Sequence, residues 1–525
     1  MNGAENLLRT LAAHGVRACF ANPGTTEMHL LGAIDKVTEI QPVLTLFEGV
    51  ASGAADGYSR MTRTPAIGLF HLGPGFANSI ANLHNARRAR SPIINVIGDQ
   101  ATYHRPYDVG LTSNIESLAA PVSKWVRYCG SPAEISSDAA EAYAAALQDP
   151  YGSATLVVPT DTSWSEAPEP SARREVDSPA TVAPEAIRDV AKILRGKEPA
   201  ALLVAGDFVS AEVAALCSQI GAVTGAKVFS ELFIGRAERG AGRASLERLP
   251  YFPEDLIEVL KGIRHLILVG TNEPISFFAY PESRSEVKDP DCQLHTLATP
   301  AEDRVGALQA LADELGAKPE DAVLVPLNRP ELRTSGPLDP DSVSAIVAHY
   351  LPEGAIVSEE AATSGPPAAL HTEGCPAHDW IGLTGGAIGQ GLPAALGAAT
   401  ACPDRKVISL QADGSSMYTI QALWSMAREQ SDVTAVIYSN RSYAILRMEL
   451  ARSGIPAPSD RISNLVDLNN PELDFVSLAR GLGVEADRAT SVADFSRLFS
   501  SAMDKKGPRL IEALVDMPEQ LATGG

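Results

Sequence analysis

Asp413 and Asn440 are two hard oxygen donors set 27 positions apart in the run QADGSSMYTIQALWSMAREQSDVTAVIYSN. Each follows an apolar, β-rich stretch, VISL before Asp413 and TAVIYS before Asn440, and the pattern between them predicts a helix over about 419–428. A strand–loop–helix–strand unit closes with a right-handed crossover, which puts both strands in one parallel sheet. Both residues then emerge at its carboxyl edge, where open α/β sheets bind ligands. A carboxylate and an amide oxygen suit Mg²⁺, which completes its shell with phosphate oxygens rather than an all-protein cage. Gly414 and Ser415 open the loop, so their N–H groups can face that phosphate. The plainer reading is an ordinary βαβ turn with an Asp-Gly cap.

A second set of polar residues gathers in the first third of the chain. RACFA leads to Asn22-Pro23-Gly24-Thr25-Thr26-Glu27, PVLTLF to Glu48, PAIGLF to His71-Leu72-Gly73-Pro74-Gly75, and PIINVIG to Asp99-Gln100. In a parallel sheet these four loops share one edge and frame a cleft. Gly24 permits a tight turn, and Thr25 and Thr26 read equally well as loop caps. Glu48 opens an Ala/Gly-rich stretch, where an acid at a helix N-terminus is favoured by the macrodipole. A lone His71 at a strand end reads as a satisfied structural residue or as an acid–base group. His104 and Arg105 could anchor a substrate carboxylate, with a solvated loop the better reading.

The elements that must position these residues fall into three segments. Alternating short strands and helices over 1–165, 184–325 and 340–525 predict an α/β protein of three doubly wound parallel-sheet domains. Pro-rich stretches separate them, SWSEAPEPSARREVDSPATVAPE before the second and VPLNRPELRTSGPLDPD before the third. The first and third segments could be a pair of similar folds, although no clean sequence repeat shows it. The middle segment has AGDFVSAE after its first strand rather than GxGxxG, which weakens a dinucleotide reading.

Over 525 residues, a net charge of −21 argues against nucleic acid or an anionic membrane as partner. No signal pattern or membrane-length apolar run is evident, and six scattered cysteines lack CxxC spacing. The expectation is a soluble cytoplasmic enzyme with reduced thiols.

ADGS followed by Asn440 resembles the G-D-G-S…N signature of thiamine-diphosphate enzymes, with Ala412 in place of the first Gly. The whole chain resembles the acetolactate synthase large-subunit and benzoylformate decarboxylase branch of that superfamily. The resemblance implies that the Asp413 and Asn440 side chains and the Ser442 carbonyl hold Mg²⁺ on the diphosphate of thiamine diphosphate. Gly414 and Ser415 contact the diphosphate, Thr363 and Ser364 add further contacts, and Gly24 and Gly75 belong to the cofactor set. Glu48, in an E-x(7)-D-G-Y pattern, becomes the acid that hydrogen-bonds the aminopyrimidine ring and promotes its imino form. Ile388, in TGGAIGQGLPAALGAA, props the cofactor in its bent form. His71 matches an active-site histidine of benzoylformate decarboxylase-like enzymes and stands near the reacting carbonyl. Neither a His-His pair nor a second histidine near Phe277 and Phe278 is present.

For substrate contacts the resemblance implies Thr25, Thr26 and Gln100, with Leu111 and Thr112 on one wall and Ile445 and Glu449 on the other. Ile445 disfavours a phenyl group by steric overlap, a penalty of roughly 1–3 kcal/mol. The implied reaction is decarboxylation of a small 2-oxo acid, with carboligation of the enamine to a second carbonyl or, alternatively, its protonation to an aldehyde. The shorter chain, without a flavin motif, argues against FAD. A homodimer or homotetramer with the active site between subunits is the implied assembly. Two other classes stand beside this one: a nicotinamide-dependent oxidoreductase, disfavoured by the missing GxGxxG, and a non-catalytic cofactor-binding regulatory subunit. Retention of Glu48, Asp413 and Asn440 argues against the latter.

Overall fold

The computed structural model describes residues 1–170, 173–281, 283–455 and 459–516. Its first domain is a six-stranded, wholly parallel sheet in the order Gln41–Leu44, Ala18–Asn22, Ala66–His71, Ile93–Asp99, Ser153–Pro159, Trp125–Tyr128. The central strands Ile93–Asp99 and Ser153–Pro159 are buried at every position, as a parallel sheet covered by helices on both faces requires.

The third domain repeats this topology. Its strands run Glu485–Ala489, Arg509–Leu514, Val433–Ser439, Val407–Ala412, Ile356–Glu360, His378–Gly382. Numbered within each domain, both sheets read 2-1-3-4-6-5, so the likeness that the sequence left unproven is present in the strand order. In both, the order reverses between the first and third strands. That reversal opens the crevice where such sheets take ligands.

The middle segment forms a five-stranded parallel sheet, Glu247–Arg248, Lys227–Ser230, Ala200–Val204, His265–Val269, Gln293–Ala298. Two of its strands depart from the expected self-contained domain. Arg236–Arg239 pairs antiparallel with His378–Gly382 and Phe208–Val209 pairs with Arg236–Arg239, extending the third sheet to eight strands. Polar contacts explain the exchange: the Arg236 guanidinium reaches Asp379 at 2.7 Å and the Met61 carbonyl at 2.9 Å. One strand thus ties the middle segment to both neighbours.

Domains one and three meet through two helices rich in small residues, Glu48–Thr62 and Gly391–Ala401. A Cβ on Gly57 or Gly397 would strike the facing backbone at Ala394 or Ala54, so glycine here sets how closely the helices approach. Arg60, buried in this contact, chelates Asp56 and donates to the Gly382 carbonyl at 2.7 Å and the Gly235 carbonyl at 3.2 Å. One cation therefore joins all three domains. Among the described residues no helix is long and apolar enough to cross a membrane.

Candidate active site

At the first domain's strand reversal the structure brings Gly24, Thr26, Glu48, His71 and Gly75 together. A Cβ on Gly75 would lie 3.0 Å from Glu48 Oε1 and 3.5 Å from His71 Cβ. One on Gly24 would enter the His71 ring. Glu48 is the first residue of its helix, where the dipole favours its charge, and Asn78 Nδ2 donates to Glu48 Oε2 at 3.0 Å. The chain leaves His71 through Leu72 at φ +53°, a left-handed conformation costly for leucine.

Glu27, legible beforehand only as part of the loop over 22–27, organises this corner. Its side chain is fully buried. Oε2 accepts from the Gly24 N–H at 2.7 Å and lies 2.9 Å from His71 Nδ1, while Oε1 accepts the Thr26 hydroxyl proton at 2.5 Å. Because Thr26 gives its proton to Glu27, its oxygen, 2.9 Å from His71 Nδ1, is left as an acceptor. The Nδ1–H is therefore shared between Glu27 and Thr26, which fixes the tautomer and leaves Nε2 for chemistry. The signal was an acid three residues after Gly24, legible only as a turn cap.

Other residues placed near substrate differ in exposure. Thr25 is exposed, and Gln100 is half-buried just past the strand end at Asp99, whose carboxyl burial pushes upward. Leu111 is half-exposed at φ +74°, and Thr112 has a buried hydroxyl with no hydrogen-bond partner among the described residues. Their loop laps over the turn, since a Cβ on Gly73 would collide with Ser113. Arg105 is engaged by Glu116 at 3.0 Å and lies over the Tyr128 ring, and so makes a structural contact.

At the third domain's reversal, Glu360 ends one strand, Asp413 directly follows its parallel neighbour Val407–Ala412, and Asn440 follows the next. Asp413 is 2% exposed and pairs with no lysine, arginine or histidine among the described residues. Its oxygens accept the Gly414 N–H at 2.8 Å and the Arg441 N–H at 2.5 Å. Burial still pushes its carboxyl up to about 6. On the loop after the paired strand the Asn440 amide oxygen accepts the Ser442 N–H at 3.0 Å. A sheltered carboxylate with no cation of its own and an amide oxygen on the same sheet edge are the donor types that suit a hard divalent ion. Arg441, between Asn440 and Ser442, is held at φ +60°. Ser442 is buried, and Gly414 packs so tightly on Tyr443 that a Cβ would enter its ring. These residues fit a metal–diphosphate site. Ser415 and Ser364 are buried and Thr363 half-buried beside it.

Glu360 heads the run 360–364, read from the sequence with Thr363 and Ser364 as a further diphosphate contact, and its side chain turns to the neighbouring loop. Its buried carboxylate accepts three successive N–H groups, Gly389 at 2.5 Å, Gln390 at 3.1 Å and Gly391 at 2.6 Å. Loss of hydration nevertheless pushes it up to about 7. It fixes the loop bearing Ile388, which is half-buried. On the helix Ala444–Arg452, Ile445 is half-buried, whereas the Glu449 carboxylate is taken by the Tyr280 hydroxyl at 3.1 Å. The middle segment thus braces this wall.

Two candidate ligand sites, each at the strand reversal of one of two sheets of one topology, are the arrangement of a cofactor-dependent α/β enzyme class. Residues 1–119 match the model of the thiamine pyrophosphate enzyme N-terminal TPP binding domain, and 368–513 match that of the C-terminal TPP binding domain. The chain is 47% identical over 516 residues to "Putative acetolactate synthase large subunit IlvX" of Mycobacterium tuberculosis, covering 98% of this chain and 99% of that protein. It is 27% identical to a benzoylformate decarboxylase of Pseudomonas aeruginosa, covering 96% of each. The solved 4-hydroxybenzoylformate decarboxylase of Rhodococcus jostii RHA1 superposes with a TM-score of 0.86 at 26% identity, covering 99% of this chain and 100% of that one. The chain belongs to the thiamine-diphosphate-dependent enzymes of the acetolactate synthase and benzoylformate decarboxylase family.

Proposed function

We propose that this enzyme decarboxylates a small 2-oxo acid with thiamine diphosphate and Mg²⁺, and that it protonates the product to release an aldehyde. The observation that carries the reading is His71, held at Nδ1 by the buried Glu27, with no hydrogen bond to Nε2 among the described residues, and near Glu48. When bound, thiamine diphosphate supplies a carbon nucleophile and an electron sink for the departing CO₂. Asp413, Asn440 and the Ser442 carbonyl would hold its metal, and the N–H groups of Gly414 and Ser415 its diphosphate. Glu48 would hold the aminopyrimidine ring and exchange a proton with it. His71 Nε2 would carry a proton to and from the substrate oxygen or carbon, a role worth typically 10²–10⁴-fold. Thr25 and Gln100 would orient the substrate carboxylate, and Ile445 with Leu111 and Thr112 would limit its side chain.

A second reading, carboligation to another carbonyl as an acetolactate synthase performs, is supported by the name of the 47%-identical relative. Homodimerisation is supported by exposed apolar side chains beside both half-sites, Leu46 at 46% and Tyr418 at 53%. The test is incubation of the purified chain, with thiamine diphosphate and Mg²⁺, against a panel of aliphatic and aromatic 2-oxo acids. CO₂ with aldehyde supports the first reading and CO₂ with acyloin the second. No CO₂ from any acid overturns both.

A further inference from the structure

Ile388 sits in a loop whose glycines give it little stiffness of its own: Gly386 stands at φ +78° and Gly389 at φ +98°. Yet the peptides on either side of Ile388 are both pinned. Before it, the Asn85 side-chain amide closes a two-bond ring on Ala387, donating to its carbonyl at 2.7 Å and accepting its N–H at 3.2 Å. After it, the Gly389 carbonyl accepts from Asn82 Nδ2 at 3.1 Å and from the Thr419 hydroxyl at 2.9 Å, and the Gly389 N–H goes to Glu360. Asn82 Nδ2 also donates to the Gly49 carbonyl at 2.7 Å, one residue past Glu48. Gly49 and Gly389 are therefore bridged by one amide group.

These asparagines lie on one face of the helix Leu72–Arg88. Positions 75, 78, 82 and 85 are spaced by three, four and three, which stacks them along a single stripe. Gly75 and Asn78 meet Glu48, and Asn82 and Asn85 meet the Ile388 loop. Asn85 is wholly buried and Asn82 3% exposed, so water cannot replace either side chain cheaply. His84 and Arg60 add bonds to Gly385 and Thr384, at 3.1 and 3.0 Å.

We propose that Asn82 and Asn85 are positioning residues that preset the Ile388 loop against the Glu48 helix within a single chain, before any cofactor arrives. The inference rests on the thiamine reading above for the ligand, though not for the clamp itself. It applies whether the two elements serve one cofactor or, in the dimer proposed above, two. A preset loop spares the ordering cost that a glycine-rich segment would otherwise levy on binding.

The test uses full-length protein stripped of cofactor, with hydrogen exchange followed across 383–391 and thiamine diphosphate affinity measured by calorimetry in Mg²⁺. The wild-type loop should be protected without cofactor. Asn85→Ala should raise exchange there and weaken binding by about tenfold or more, leaving peptides of the five-stranded middle sheet unchanged. Asn82→Ala, which leaves Thr419 on the Gly389 carbonyl, should act in the same direction but less, and decides the matter if Asn85→Ala does not fold. Fast exchange of the wild-type loop, or wild-type exchange and affinity in the folded variants, overturns the proposal. Wild-type protein that binds no thiamine diphosphate would instead overturn the functional reading, while the exchange measurement still judges the clamp.

Discussion

Glu27 Oε2 lies 2.9 Å from His71 Nδ1, and the same oxygen accepts the Gly24 N–H at 2.7 Å. A buried carboxylate on one ring nitrogen makes the other the working atom, so Glu27 and His71 should act as a unit. Glu27→Gln should lower kcat by about 10²-fold with KM changed only a few-fold. His71→Ala should lose a similar amount, and the double variant little more than either single one, as coupled groups do. Steady-state kinetics of the four proteins on whichever 2-oxo acid is turned over provide the check. Full additivity would show that the pair does not work together.

Among the described residues Glu48 has one side-chain hydrogen bond, from Asn78. Glu48→Gln keeps its shape and should leave the fold intact, with thermal midpoint within a few degrees of wild type. Turnover of every substrate should nevertheless fall by at least about 10³-fold, since the amide cannot exchange a proton with the bound pyrimidine. Retained activity would reassign the activating acid.

Much of this site was legible because chemistry and topology coincide. Asp413 and Asn440 follow apolar runs, and the crossover rule alone puts them on one edge; the register pairs Ala412 with Tyr438 as that requires. Glu48, His71 and Gly24 were visible for the same reason. The roles of Glu27 and Glu360 were not, because a buried carboxylate that binds backbone N–H groups looks in sequence like any loop acid. Asn82 and Asn85 were hidden more deeply, since their partners in the Ile388 loop lie 307 and 302 residues away along the chain. The strand exchange at Arg236–Arg239 was unreadable for a related reason. Four residues are too few to declare which sheet they join, and the deciding contacts are to Asp379 and Met61.

Glu360 makes stability depend on pH in a direction opposite to an ion-paired acid. Burial raises its carboxyl from 4.5 to about 7 in the folded chain. The folded state therefore holds the proton more tightly than the unfolded one. That contribution is present in full below pH 4.5 and is lost as pH rises through about 7. Glu360→Gln removes the titration but also sets an amide N–H₂ against the Gly391 N–H. Urea titrations of cofactor-free protein between pH 5 and 8 should find the wild type's advantage over the variant largest at pH 5. It should shrink by on the order of 2 kcal/mol by pH 8. A constant difference across that range would mean that Glu360 does not change its charge there.

Ile445 tests the pocket. It is the second residue of the helix that follows Asn440 and is half-buried, whereas Glu449, one turn further along, is spent on Tyr280. If Ile445 bounds the space for the substrate side chain, removing its branches should admit a ring. Ile445→Ala should raise kcat/KM for a phenyl-bearing 2-oxo acid relative to a two- or three-carbon side chain by about tenfold. The cost in stability should be small, because the residue is only partly buried and a cavity penalty scales with the packing lost. Competition between the two acids in one reaction, read by product ratio, measures the change directly. An unchanged ratio would place the limiting wall elsewhere, on the loop of Leu111 and Thr112.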